Sequence, residues 1–306
     1  MIEKGPQNAH SFHLAGVIPV AGQPLDFNFP WHDSLMPIGK NYLAIEHSVY
    51  ECAMAGCETI WIVCHREMQP LIRHVVGEWI EDPVWAGRGK FEKRASEVKK
   101  QIPIYYIPIH PKDRDRRDCL GWSVLYGALQ AFILSNKISK WVVPDKYYVS
   151  FPYGILSVAS IRKHRAIISD KKNFFMSYKG KTIKDGEYLS FTFDGDDFVN
   201  FRRTIRKEGT GTYAPDSRLR DGKYPIDTLP VEERYSARHF PLTTVFKCAR
   251  VDEGEILEIP WYHNIGTWEG YCQYLSSLDR ERINKPKIIK YKEWNPIGVD
   301  NIREEE

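Results

Sequence analysis

An α/β protein, with a predominantly parallel sheet flanked by helices and a mixed, β-rich second half, is the fold this sequence predicts. Three observations carry that expectation. Apolar, β-branched and aromatic runs at 14–20, 59–64 and 102–109 have the length and composition of buried strands. Stretches with helical spacing follow them at 42–55, 69–79 and 121–134, and strand alternating with helix is the pattern of a parallel sheet with covering helices. After about residue 150 the texture changes to short strands separated by Gly and Asp turns.

In chain order, the run 14–20 ends at Ala21-Gly22, a strand followed by a turn, which is a common entry to a nucleotide pocket. A proline- and aromatic-rich loop reaches Pro37-Ile38-Gly39, and then Leu43, Ile45, Val49, Cys52 and Ala53 mark a helix that Gly56 stops. Thr-Ile-Trp-Ile-Val-Cys at 59–64 is the second strand, 102–109 the third, and 140–143 a fourth closing at Pro144-Asp145. Beyond it the sequence predicts a helix at 154–164, then strands at 173–178, 187–193 and 197–201. The span 207–233, rich in Gly, Pro, Arg and Asp, reads as a long loop. Strands at 243–248 and 255–259, a turn at 264–267 and a helix at 268–278 complete the pattern. The organisation expected is a nucleotide-binding half at 12–150, an acceptor-binding half of the same domain at 151–280, and a charged tail at 281–306.

A chain of 306 residues with 42% hydrophobic residues can bury a sizeable core. Its 43 Lys and Arg nearly balance 40 Asp and Glu, so the net charge of +3 argues against a dedicated nucleic-acid or membrane-surface binder. Met1 to Asn8 lack a signal peptide's apolar stretch, and no run approaches the roughly eighteen apolar residues of a spanning helix. The six cysteines form no CxxC pair and no zinc spacing, which reads as reduced thiols in a soluble, cytoplasmic protein. Arg202, Arg203, Arg206 and Lys207, with Arg218 and Arg220, read as a solvated face rather than a grip on nucleic acid. Asp194, Asp196 and Asp197 around Gly195 read as a hairpin turn rather than a metal motif.

Three segments carry a family likeness. The first is Ile18-Pro19-Val20-Ala21-Gly22 with Leu35-Met36-Pro37-Ile38-Gly39 and Ala55-Gly56; the second is Leu120-Gly121-Trp122-Ser123 opening a helix. The third pairs Asp145 with Tyr262-His263-Asn264-Ile265-Gly266-Thr267-Trp268-Glu269-Gly270-Tyr271. Together they resemble the sugar-1-phosphate nucleotidyltransferases, whose fold is shared with the GT-A glycosyltransferases. The resemblance implies a transferase that moves a nucleotidyl group from a nucleoside triphosphate to a sugar phosphate or related acceptor with Mg²⁺ or Mn²⁺. It places Ala21, Gly22, Gln23 and Pro24 at the phosphates, and Gly121, Trp122 and Ser123 at the base. Gly266, Thr267 and Glu269 fall at the acceptor, and Asp145 and Asn264 at the metal. A glycine turn beside a helix N-terminus is a sound way to hold an anion.

The chain departs from the family's pattern where charge matters most. Gly22-Gln23-Pro24-Leu25-Asp26 stands in place of Gly-Thr-Arg, Asp33 in place of a lysine, and Asn264 in place of a metal-binding Asp. Each such cation contributes on the order of a few kcal/mol to transition-state stabilisation in phosphoryl transfer. Arg116 and Arg117, with Arg114 or Lys40, are the candidates to replace them. Two other readings stay open: a glycosyltransferase using a nucleotide sugar, with nucleic acid as an unfavoured acceptor, and a non-catalytic nucleotide- or partner-binding descendant.

Overall fold

Strand β1 (Leu14–Pro19) is buried along its whole length, as befits an apolar run with a strand on each side. The computed structural model describes residues 12–22, 26, 28–84, 101–109, 119–138, 143–208 and 240–286. Beside β1 lie β4 (Thr59–Cys64) and β7 (Lys146–Val149), both parallel to it, and β6 (Gln101–Pro108) continues the parallel run beyond β4. The full order of the eight-stranded sheet is β11-β9-β10-β7-β1-β4-β6-β5. Antiparallel β5 (Trp79–Glu81) closes one side, and β10 (Phe191–Phe193) runs antiparallel between β7 and β9 (Phe174–Ser177). Parallel to β9, β11 (Glu255–Glu258) forms the other edge. Two small ribbons stand apart: β2 (Pro37–Gly39) with β3 (Tyr42–Leu43), and β8 (Gly154–Leu156) with β12 (Tyr262–Asn264).

Alternation along β1 divides its side chains between two cores. Leu14 and Ile18 join Ile45, Val49 and Ile72 of helices α1 (Ala44–Ala55) and α2 (Gln69–Val76). Ala15 and Val17 face the opposite core, built around α3 (Leu120–Ile138). Gly127 lets α3 sit close, because a Cβ there would approach the Val17 and Val63 side chains. Each large aliphatic removed from water contributes about 1.5–3 kcal/mol. No helix of the described residues is long and apolar enough to cross a membrane.

One charged side chain lies inside the first core. Glu51 of α1 is fully buried and accepts hydrogen bonds from Tyr148 Oη (2.7 Å), Ser150 Oγ (2.8 Å) and Ser190 Oγ. Burial pushes its carboxyl up to about 7, even though the three hydroxyls favour the ionised form.

The second half departs from the sequence-based expectation in three places. Residues 197–201 lie not in a strand but within helix α6 (Gly195–Glu208). Asp194 caps it, Oδ1 accepting from the amides of Asp196 (3.0 Å) and Asp197 (2.9 Å). The Asp-Gly-Asp-Asp sequence is thus a helix start rather than a hairpin. Arg250 ties this start down, donating from Nε to Asp197 Oδ1 (2.7 Å) and from Nη2 to Asp194 Oδ2 (3.0 Å). The expected strand at 243–248 contains instead the short helix α7 (Leu242–Val245), entered through Pro241. The expected helix at 154–164 splits into β8 followed by α4 (Val158–Lys163), with the short α5 (Arg165–Ile168) beyond it.

Candidate functional site

Two of the three family-like segments meet where β1 ends. Gly22 has φ +85, open to glycine at no steric cost, and an added Cβ would fall against the carbonyl carbon of Cys119 and 2.8 Å from its Cα. Cys119 directly precedes α3, so the turn lies against the N-terminus of a 19-residue helix, where partial positive charge collects. Ser123 Oγ in the first turn donates to Ala21 O at 2.6 Å and fixes the contact. The amides of Val20 (2.8 Å) and Ala21 (3.0 Å) both donate to Val63 O. Ala21 therefore anchors the turn to β4 and offers no amide to a phosphate. Gln23 and Pro24 lie outside the described residues, as do Arg114, Arg116 and Arg117.

The third segment reaches the same edge. Ile265 N donates to Tyr153 O (2.8 Å), and Tyr153 Oη donates to Val20 O (2.8 Å), so the loop after β7 links β12 to the end of β1. Asn264 Oδ1 accepts from Gly266 N at 3.0 Å. Thr267 caps α8 (Trp268–Ser276), its hydroxyl accepting from Gly270 N at 3.2 Å. Trp268 N donates to Asp26 Oδ2 (2.9 Å), and this bond leads the causes that lower the Asp26 carboxyl. Glu269 is exposed and accepts from Gln273 Nε2 one turn on.

Asp145 is not part of this assembly. It stands before β7 begins, and it pairs with His13 just ahead of β1: His13 N donates to Asp145 Oδ2 (2.8 Å) and Asp145 N to His13 O (2.9 Å). Because β1 and β7 are parallel, this is the amino edge of the sheet, opposite to Gly22. The error has a physical origin. The apolar Trp141-Val142-Val143 invites a strand that Asp145 would end, but the strand is Lys146–Val149, and Pro144 and Asp145 precede it. The carboxyl end of β7 continues as Ser150-Phe151-Pro152-Tyr153, with Phe151 and Tyr153 buried and no carboxylate among the four.

Asp145 and Asn264 consequently do not fit a shared Mg²⁺ or Mn²⁺ site, since they lie at opposite edges and the amide oxygen of Asn264 is engaged. Among the described residues, no group of three or more His, Cys, Asp or Glu side chains could hold a metal ion. Trp122 also differs from expectation. It is buried in the α3 core and stacks on Tyr126 at 6.4 Å, which makes it a packing residue rather than a platform for a base. Gly121 allows close approach of α7, a Cβ there falling 2.7 Å from Val245 Cγ2.

Asp33, which stands in place of the family's lysine, lies near the end of β1 together with His32, which has no counterpart in the family pattern. Asp33 is buried on a single helical turn (Asp33–Leu35), close enough to Tyr153 for its charge to raise that phenol, after burial itself. Burial pushes the Asp33 carboxyl up to about 7, against the opposing bond from Ser34 N (2.8 Å). His32, whose Nδ1 lies 3.1 Å from Asp33 Oδ1 and 2.8 Å from Ser34 Oγ, is lowered to about 4 by burial and then by His65. His32 is thus neutral at pH 7, while Asp33 is poised between its two forms. An irregular loop with no apolar period gives no sequence signal that Asp33 is buried or that His32 lies against it.

Concave surfaces among the described residues lie elsewhere. A cleft of about 870 Å³ between α1, α4 and the 282–286 segment has Arg162, Lys163, Arg282 and Lys285 in its lining. Lys40 lines a smaller one of about 380 Å³ with Tyr271 and Arg280.

No family model matches the chain, and no curated protein matches it in sequence. Solved structures do. A glucose-1-phosphate thymidylyltransferase from Bacillus anthracis, in complex with sucrose, aligns at a TM-score of 0.50 and 13% identity, over 90% of this chain and 98% of that one. A UDP-glucose pyrophosphorylase complexed with UDP-glucose aligns at 0.48 and 11%, over 89% and 100%; a UDP-glucose pyrophosphorylase from Acinetobacter baumanii aligns at 0.46 and 12%, over 87% and 92%. The first of these, with the parallel strand order and the helices on both faces, establishes that the chain has the fold of the sugar-1-phosphate nucleotidyltransferases.

Proposed function

We propose that this chain is a nucleotidyltransferase-like protein that takes a nucleotide at the carboxyl edge of its sheet, with a sugar phosphate or related phosphorylated acceptor beside it. The observation that supports this reading is the meeting of the Gly22 turn, the N-terminus of α3 and, through Tyr153, the β12 to α8 segment at the edge where open α/β sheets take their ligands. In the transfer, an acceptor phosphate oxygen attacks the α-phosphorus and pyrophosphate leaves. The chain's own part is to orient the phosphates at the turn and the helix N-terminus, with Arg116 and Arg117 as candidate cations and the 151–280 half as acceptor side. A second reading, a nucleotide-binding protein without transfer, is favoured by one observation: Ser150-Phe151-Pro152-Tyr153 puts no carboxylate at the end of β7.

The deciding experiment combines titration of nucleoside triphosphates and nucleotide sugars with an exchange assay between labelled pyrophosphate and triphosphate, with and without Mg²⁺. Exchange supports transfer; binding without exchange selects the second reading; neither binding nor exchange sinks both. Arg162→Glu, in the separate cleft, and Asp145→Asn, at the amino edge, should leave nucleotide affinity unchanged. A loss in either would relocate the site.

The buried carboxyl of Asp33 adds a pH signature. Below about 7 it is neutral, and above it a carboxylate stands near Tyr153 beside the end of β1, so affinity for a nucleotide held there should fall as pH rises from 6 to 8. A unit charge at roughly 10 Å and an effective dielectric near 20 makes this about tenfold. Measured with a nucleotide sugar, whose diphosphate is fully ionised across this range, Asp33→Asn should bind with the same affinity at both pH values; a slope that survives in the variant would assign the effect to another group of the protein.

A further inference from the structure

We infer that Cys52 and Cys57 are a redox-active thiol pair that a small-molecule disulfide oxidises to an intramolecular disulfide. The geometry comes from how α1 ends. Gly56 takes the left-handed conformation at φ +99, Gly56 N donates to Ala53 O (3.3 Å) and Cys57 N to Cys52 O (3.1 Å). A helix end closed in this way sets the side chains on either side of the turn against each other, usually as an apolar contact. Here the two residues are cysteines.

Strand β1 fixes them further. Gly16 lies under both: a Cβ on it would be 3.0 Å from Cys52 Sγ and 3.1 Å from Cys57 Sγ, so both sulfurs crowd one point that only a glycine leaves free. A disulfide spans a Cα separation of about 4.4–6.8 Å, compatible with residues whose backbones are hydrogen-bonded across one turn. Burial and then the neighbouring Cys57 push the Cys52 thiol well above its ordinary range. Both residues are buried, and reaction therefore proceeds through opening of the last turn of α1, on a scale of minutes to hours.

The step balances as two exchanges. One cysteine thiolate attacks the oxidant's S–S bond and expels one thiol; the second cysteine attacks the mixed disulfide and expels the other. The protein loses two S–H bonds and gains one S–S bond, and the oxidant leaves as two thiols.

The test uses the full chain carrying Cys248→Ser and Cys272→Ser, which removes the exposed thiols, incubated with oxidised glutathione at pH 8. After alkylation under denaturing conditions without reductant, trypsin releases residues 41–66 as one peptide, because no Lys or Arg lies between Lys40 and Arg66. The expected peptide has Cys64 alkylated, Cys52 and Cys57 protected, and a mass lower by two hydrogens. The thermal midpoint of the oxidised chain should rise by about 3 °C. Alkylation of both Cys52 and Cys57, or a link to Cys64, would overturn the inference. So would an equal rise on oxidising a chain that also carries Cys57→Ser; if that variant does not fold, the peptide mass alone decides.

Discussion

Glu51→Ala is expected to lower the free energy of unfolding by about 4 kcal/mol in urea titrations at pH 6. The substitution removes the common acceptor of three buried hydroxyls, those of Tyr148, Ser150 and Ser190, and leaves a cavity. Each stranded buried donor costs about 1–3 kcal/mol, with partial relief as hydroxyls rotate. Glu51→Gln keeps the shape and isolates the charge. Below about pH 4.5 the carboxyl is protonated in both folded and unfolded chains, and the protonated form's stability is fully present. Between 4.5 and about 7 the unfolded chain gives up its proton first, so stability falls as pH rises, by about 3 kcal/mol in all. The glutamine variant has no such loss. Its advantage over the wild type should therefore grow by about 2.5 kcal/mol from pH 5 to pH 8, and a difference that stays flat would show that Glu51 is already ionised in the folded chain at pH 5.

Gly22→Ala is the second large effect expected: a loss of about 3 kcal/mol of stability together with loss of nucleotide binding. An alanine at φ +85 is strained, and its methyl group must displace the backbone at Cys119, to which it would be closer than atoms pack. Displacing Cys119 moves the N-terminus of α3 away from the end of β1, which separates the two groups proposed to hold phosphate. Gly195→Ala is the matched control. Nothing lies within 4 Å of its added Cβ, and its φ is not positive, so its effect should stay within about 0.5 kcal/mol. Calorimetric melts and nucleotide titrations of both variants separate the outcomes. Full affinity in a folded Gly22→Ala protein would remove the turn from the site.

The parallel part of the fold was legible because buried strands and their helices need few residue types. The runs at 14–20, 59–64 and 102–109 correspond to β1, β4 and β6, and Gly56 stops α1 as its position suggested. Misreadings arose where one local pattern serves two structures. Asp-Gly before Asp-Asp suits a hairpin or a helix cap, and distant partners of the helix start, Arg250 and Asn173, go with the cap. Thr243, Thr244 and Val245 are β-branched, yet Pro241 starts a helical turn there.

The site was half legible for a related reason. The closeness of Gly22 to α3 agrees with the alternation of strands and helices in the sequence, because in a parallel sheet strand ends and the starts of the covering helices share one edge. Which edge of the sheet Asp145 occupies depends on where one four-residue strand begins, and the shift from 140–143 to Lys146–Val149 moves it from one rim to the other. Asp33 was marked in the sequence as a lost cation, but its raised carboxyl became visible only when burial was known.

The way β10 joins the sheet bears on its stiffness. Three register pairs, Phe191 with Val149, Thr192 with Tyr148 and Phe193 with Tyr147, stitch the later strands onto the parallel ones. Rings of Phe151, Phe175 and Phe246 press on Phe191 along that seam. Bending there would tear backbone pairing and unstack aromatics at once, so the two parts of the sheet hold together as one stiff body.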